Sequence, residues 1–144
     1  MSYYNEIAIV LRQEDKKEFL KQMAEFDEKH EKEEATEGDF HYTAREIYDM
    51  AETHNDVVLY RDYDCSSEGT YFLMHWKYAS WWSPRICCAY KFYWNTIVDF
   101  KCDFIRIGED AGDIEEYHDL HSGIISPHVE QDIMIFDNGK LKDW

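Results

Sequence analysis

The chain has 144 residues, with 31 acidic against 15 basic side chains and a formal net charge of −16. A surplus of that sign excludes a conventional nucleic-acid binder, which carries a basic stripe, and disfavours attachment to anionic membranes. The length fits one domain with a core of its own, and 2 Pro with 6 Gly exclude a low-complexity chain.

Asn5–Arg12 is a short apolar run rich in branched residues and reads as a buried strand. From Gln13 the period lengthens. Phe19, Leu20, Met23, Ala24 and Phe26 recur at three- and four-residue spacing among Lys and Glu, which predicts an amphipathic helix. It runs into a charged stretch from Asp27 to Glu37 that Gly38-Asp39 breaks. Thr43-Ala-Arg-Glu46 has the form of a capping box and predicts a second helix from Ala44 to about His54. Val57–Tyr63 and Thr70–Lys77 read as two strands of a hairpin. Ser83-Pro84 is a helix start, followed by Ile86, Tyr90, Tyr93, Trp94 and Ile97 at helical spacing. Cys102–Ile107 reads as a strand with Phe104 and Arg106 on one face and Ile105 and Ile107 on the other. After an acidic connection, Gln131–Phe136 reads as a last strand, and Asp137-Asn-Gly139 as a turn that folds the terminus back.

This order predicts an α+β fold. The expected form is ferredoxin-like, a split βαβ antiparallel sheet with helices on one face and an extra C-terminal strand, in one domain spanning 1–144. Another α+β topology is the alternative. No apolar run is long enough to span a membrane. The N-terminus lacks the basic and apolar regions of a signal peptide. A cytoplasmic location is therefore expected, with Cys65, Cys87, Cys88 and Cys102 as free thiols.

Two acidic blocks stand out. Between Arg106 and Lys140 there are nine acidic residues and no Lys or Arg, and five of them (Glu109, Asp110, Asp113, Glu115 and Glu116) lie together. Carboxylates delivered by a strand end could hold a hard cation or face a basic partner; the bland alternative is a solvated loop. The spacing is not that of an EF-hand. The second block, Glu25 to Asp39, has eight acidic residues, including Glu28, Glu31, Glu33 and Glu34. Pairs such as Glu25-Lys29 would account for part of it as a solvated helix face. His118-Asp-Leu-His121 with His128 lacks a third ligand at fixed spacing, so a surface loop is the simpler reading than zinc. No phosphate loop, dinucleotide fingerprint or nucleophile elbow occurs. Nothing specifies an enzyme, and no metal or other cofactor is expected. The aromatic block from Tyr71 to Trp94 exceeds what a core alone needs. Trp81 and Trp82 are its expected exposed anchors for a partner.

Phe104-Ile-Arg-Ile-Gly-Glu-Asp110 followed by Asp113-Ile-Glu115, preceded by a Trp-rich strand and a Ser-Pro helix, resembles small acidic proteins encoded by bacteriophages. The resemblance spans roughly residues 70 to 116. That class includes anti-restriction and anti-CRISPR inhibitors, some of which mimic DNA. The resemblance implies a viral inhibitor acting in the cytoplasm of the host bacterium. Its expected partner is a host defence protein with a basic surface, bound without direct nucleic-acid or membrane contact. The expected contacts are Glu109, Asp110, Asp113, Glu115 and Glu116 first, Glu28, Glu31, Glu33 and Glu34 second, and Trp81 and Trp82 for short-range affinity. The alternatives are a nucleotide or small-molecule sponge using the aromatic segment, and a metal-dependent enzyme using the Glu109–Glu116 carboxylates.

Overall fold

A computed structural model describes residues 4–30, 42–58, 70–82, 89–127, 132–137 and 140–141. Eight strands and three helices are formed among them: β1 (Asn5–Arg12), α1 (Lys16–His30), α2 (Ala44–Met50), β2 (Glu52–Val57), β3 (Tyr71–Ala79), α3 (Tyr90–Asp99), β4 (Cys102–Gly108), β5 (Ile114–His118), β6 (Ile125–Pro127), β7 (Ile133–Asp137) and β8 (Lys140–Leu141).

The first five strands form one sheet in the order β2-β3-β1-β4-β5, and every neighbouring pair is antiparallel. β1 lies at its centre, which explains why its run Ile7–Leu11 is apolar throughout rather than alternating. Ile7, Ile9 and Leu11 pack on one side with Phe19 and Met23 of α1, Ala44 and Ile47 of α2, and Phe92, Tyr93 and Ile97 of α3. Ala8 and Val10 pack on the other side with Ile105, Ile107, Ile124, Ile125, Ile133 and Ile135. The three helices therefore cover one face. The opposite face is covered by a second sheet, β6-β7-β8. A strand with both faces covered needs apolar residues at every position.

Several expectations shift for identifiable reasons. α2 has the predicted capping box, with Thr43 Oγ1 accepting from the Glu46 N–H at 3.0 Å and Glu46 Oε1 accepting from the Thr43 N–H at 3.3 Å. Asp27 reinforces it, accepting from the backbone N–H groups of Ala44 and Arg45. The helix stops at Met50, short of the predicted His54, because Glu52–Val57 is drawn out to pair with β3. The hairpin exists, but its first strand lies earlier than Val57–Tyr63; residues 59–63 lie outside the described part. The same holds for Ser83-Pro84, so the described α3 begins at Tyr90. The stretch after Gly108 is more than an acidic connection, since it contains β5 and β6. The predicted last strand appears as β7 and does fold back into β8. It does not extend the main sheet, however, but builds the second one, because Ile133 and Ile135 bury against Ala8, Val10 and Ile105. No helix among the described residues is long and apolar enough to cross a membrane.

Candidate functional site

Arg106 lies on the helix-facing side of β4, opposite Glu115 in the β4–β5 register. It is almost fully buried. Its Nε donates to Glu115 Oε1 at 2.7 Å, its Nη2 to Asp113 Oδ1 at 2.8 Å, and its Nη1 to Asn5 Oδ1 at 2.8 Å and Asp113 Oδ2 at 3.2 Å. Burial disfavours the guanidinium charge. The hydrogen bonds and charges of Asp113 and Glu115 outweigh that, so the Arg106 pKa rises above its ordinary value. Two of the five clustered carboxylates are thus committed to a buried cation and fix the turn that joins β4 to β5. A backbone bond from the Gly108 N–H to the Asp113 carbonyl and Gly112 with φ +80° close the same turn.

The other members of the block face water. Glu109 and Asp110 are exposed at the tip of the turn, and Glu109 Oε1 accepts from the Tyr4 backbone N–H at 2.8 Å. Glu116 is exposed on β5 beside His118, with Oε1 3.0 Å from His118 Nε2. Glu28 is exposed on α1, whereas Glu31, Glu33 and Glu34 lie outside the described residues. His121 is held in a left-handed backbone conformation, with φ 50°, and its N–H donates to Asp103. His128 lies outside the described residues. Among the described residues no group of three or more His, Cys, Asp or Glu is placed to hold a metal ion.

The expectation for the tryptophans is corrected. Trp81 is only 2% exposed. It packs against Trp76 and Tyr93 with ring centroids 5.2 and 5.1 Å apart. Trp82 is half-buried, stacked on Phe104 at 5.4 Å and edge-on to Tyr90 at 4.7 Å. The space beneath the helices is wide enough to take both indoles, so the aromatic surplus is largely core. Burial, reinforced by the Glu115 charge, pushes the Tyr90 phenol up. The exposed large rings lie elsewhere. Tyr78 is 74% exposed, Tyr4 46% and Tyr117 43%. The sequence offered one clue to Tyr78: it follows Trp76 and Lys77 at the end of an apolar strand, where the chain leaves the sheet.

A cavity of about 340 Å³ opens beside the start of β2. Met50, Trp76, Tyr78 and Trp81 supply apolar wall, while Glu52 and Lys77 contribute opposite charges. His75 also lines it, and its Nε2 lies 2.7 Å from Glu6 Oε2. Glu6 Oε1 in turn accepts from the Ile133 N–H at 3.0 Å, which ties the second sheet to the first.

Cys102 is fully buried at the start of β4, and burial, with Asp119 and Asp103 adding to it, pushes its thiol up to about 12. Reaction needs the thiolate. Cys102 should therefore resist a maleimide at pH 8 in the native protein and react when denaturant is added, as mapped by mass spectrometry of the digested adduct. Rapid native labelling at Cys102 would contradict its placement.

Comparison of the chain with protein-family models, curated proteins and solved structures finds no match.

Proposed function

We propose that the chain is a non-enzymatic inhibitor of the phage type, whose carboxylate surface occupies a basic nucleic-acid channel of a host defence protein. The observation that carries this reading is the division of labour in the acidic block. Asp113 and Glu115 serve Arg106, while Glu109, Asp110 and Glu116 stay at the surface of a chain with net charge −16. Exposed carboxylates on a chain of this net charge repel one another and oppose compaction. A partner bearing Lys and Arg relieves that repulsion in the same way that it neutralises phosphates. On this reading Glu109, Asp110 and Glu116 lead the contact set and Glu28 follows, while the buried Trp81 drops out of it.

The strand order supports the finer reading of the fold as well. On this reading β2-β3-β1-β4, antiparallel throughout and with the helices on one face, is the split βαβ unit, and β5 is an added edge strand.

The test is capture of partners from bacterial lysate on immobilised protein at 0.05 and 0.5 M salt (about 13 and 4 Å of screening), followed by competition with duplex DNA. The expected result is a nucleic-acid-handling protein retained at low salt, released at high salt and displaced by DNA. Captured proteins that DNA fails to displace would contradict the reading. The second reading, a small-molecule sponge, is favoured by the cavity beside β2, and a nucleotide or other small ligand released from the denatured pure protein would support it.

A further inference from the structure

Tyr4 and Tyr78 meet at the end of the main sheet where β1 begins and β3 finishes, and Glu109 at the end of β4 lies beside them. Their rings are 6.3 Å apart and nearly perpendicular, at 84°. Both are exposed. The backbone produces this arrangement. Asn5 pairs with Ala79 but Ile7 with Trp76, so three steps on β3 oppose two on β1. Such a bulge re-aims side chains at a strand end. Here it leaves both Lys77 and Tyr78 facing solvent, between the buried Trp76 and Ala79. The Tyr4 N–H binds Glu109 Oε1, so the same backbone that carries one ring also anchors the carboxylate.

We propose that this corner, the Tyr4–Tyr78 ring pair with Glu109 beside it, seats an arginine side chain of a basic protein partner. The proposal rests on the binding reading above and names the partner's contact chemistry. A planar guanidinium stacks on an aromatic face and also offers a fork of N–H donors to a carboxylate. An edge-to-face pair presents one ring face beside the other ring's edge, and Glu109 retains Oε2 for the fork. Asp110 adds charge of the same sign at the next position. Lys77, exposed beside Tyr78, is an opposing charge on the neighbouring strand. An ammonium satisfies the charge but lacks the plane, so the corner discriminates arginine from lysine, which a plain acidic strip does not.

The experiment uses the full chain and two probes, nona-arginine and nona-lysine peptides, titrated at 50 mM salt with affinity read by fluorescence anisotropy. The wild type should bind nona-arginine about fivefold more tightly than nona-lysine, a preference within the range of exposed cation–π contacts. In Y4A/Y78A the ratio should fall to about one while both peptides still bind. Y4F/Y78F should keep the preference, since the rings and not the hydroxyls carry it. Circular dichroism of each variant checks the fold. Equal affinities in the wild type, or a preference that survives Y4A/Y78A, would overturn the arginine seat and leave the acidic surface standing. Failure of both peptides to bind the wild type would overturn the seat and the acidic binding reading together.

Discussion

Asp113→Lys should destabilise the protein by about 3 kcal/mol, the lower end of the cost of leaving a buried charge without its partner, for Arg106 is buried although Asp113 is only half-buried. Arg106 is the reason. Its guanidinium is buried and donates two hydrogen bonds to the Asp113 carboxylate. The substitution removes both acceptors and sets a second cation against the first, with Glu115 alone left to compensate. For a domain of this size that corresponds to a loss of roughly 10 °C in Tm. Glu109→Lys and Asp110→Lys, four and three positions away in sequence, should each stay within about 0.5 kcal/mol of wild type, as surface changes generally do. Urea unfolding of the three variants checks the contrast. If Asp113→Lys proves as mild as the other two, Arg106 does not depend on this pair. The same reasoning decides how a charge-reversal experiment must be built. A variant that includes Asp113 would lower stability and binding together, so the two causes could not be told apart.

Asp103→Ala should cost more, about 4 kcal/mol, since each buried donor left unsatisfied costs roughly 1–3 kcal/mol. Asp103 is 1% exposed on the face of β4 opposite the helices. It accepts from the backbone N–H groups of Leu120, His121 and Ser122 at 2.9, 3.1 and 2.9 Å, and from the Ser122 hydroxyl. Those contacts turn the chain from β5 into β6 and seat Ile124 and Ile125 on the sheet. Losing them should also loosen the second sheet, so amide exchange at Ile124 and Ile135 should accelerate well before exchange in β1. Uniform acceleration across both sheets would instead indicate a single cooperative unit.

Much of this architecture can be read from local pattern. The β1 run, the α1 period, the Thr43–Glu46 box, the Phe104/Arg106 against Ile105/Ile107 alternation and the Asp137–Gly139 turn each depend on residues a few positions apart. The first four appear in the structure, and β7 pairs with β8 on either side of Asn138-Gly139, which lie outside the described residues. β5 was hidden because Ile114-Glu-Glu-Tyr-His118 is an edge strand with little of its surface covered, so its composition is that of a loop. β2 was misjudged because pairing with β3 overrides a helix-compatible local sequence. The site was the least legible part. Arg106 reaches Asn5 across 101 positions, and no spacing rule connects them. A single Arg and a single Asp inside an otherwise apolar strand were nonetheless a signal, since charges are rarely buried there without partners. The tryptophans were misplaced for a different reason. Sequence counts aromatic residues but not the volume that three helices leave above a five-stranded sheet.

The central claim is that the exposed carboxylates of Glu109, Asp110 and Glu116 bind a basic partner. The direct measurement is the affinity of Glu109→Lys/Asp110→Lys/Glu116→Lys for the partner captured on the wild type, with urea unfolding of the same variant as control. The predicted result is unchanged stability and binding lost at 0.15 M salt, where exposed charges are screened beyond about 8 Å. Binding that survives both this triple reversal and 0.5 M salt would contradict it.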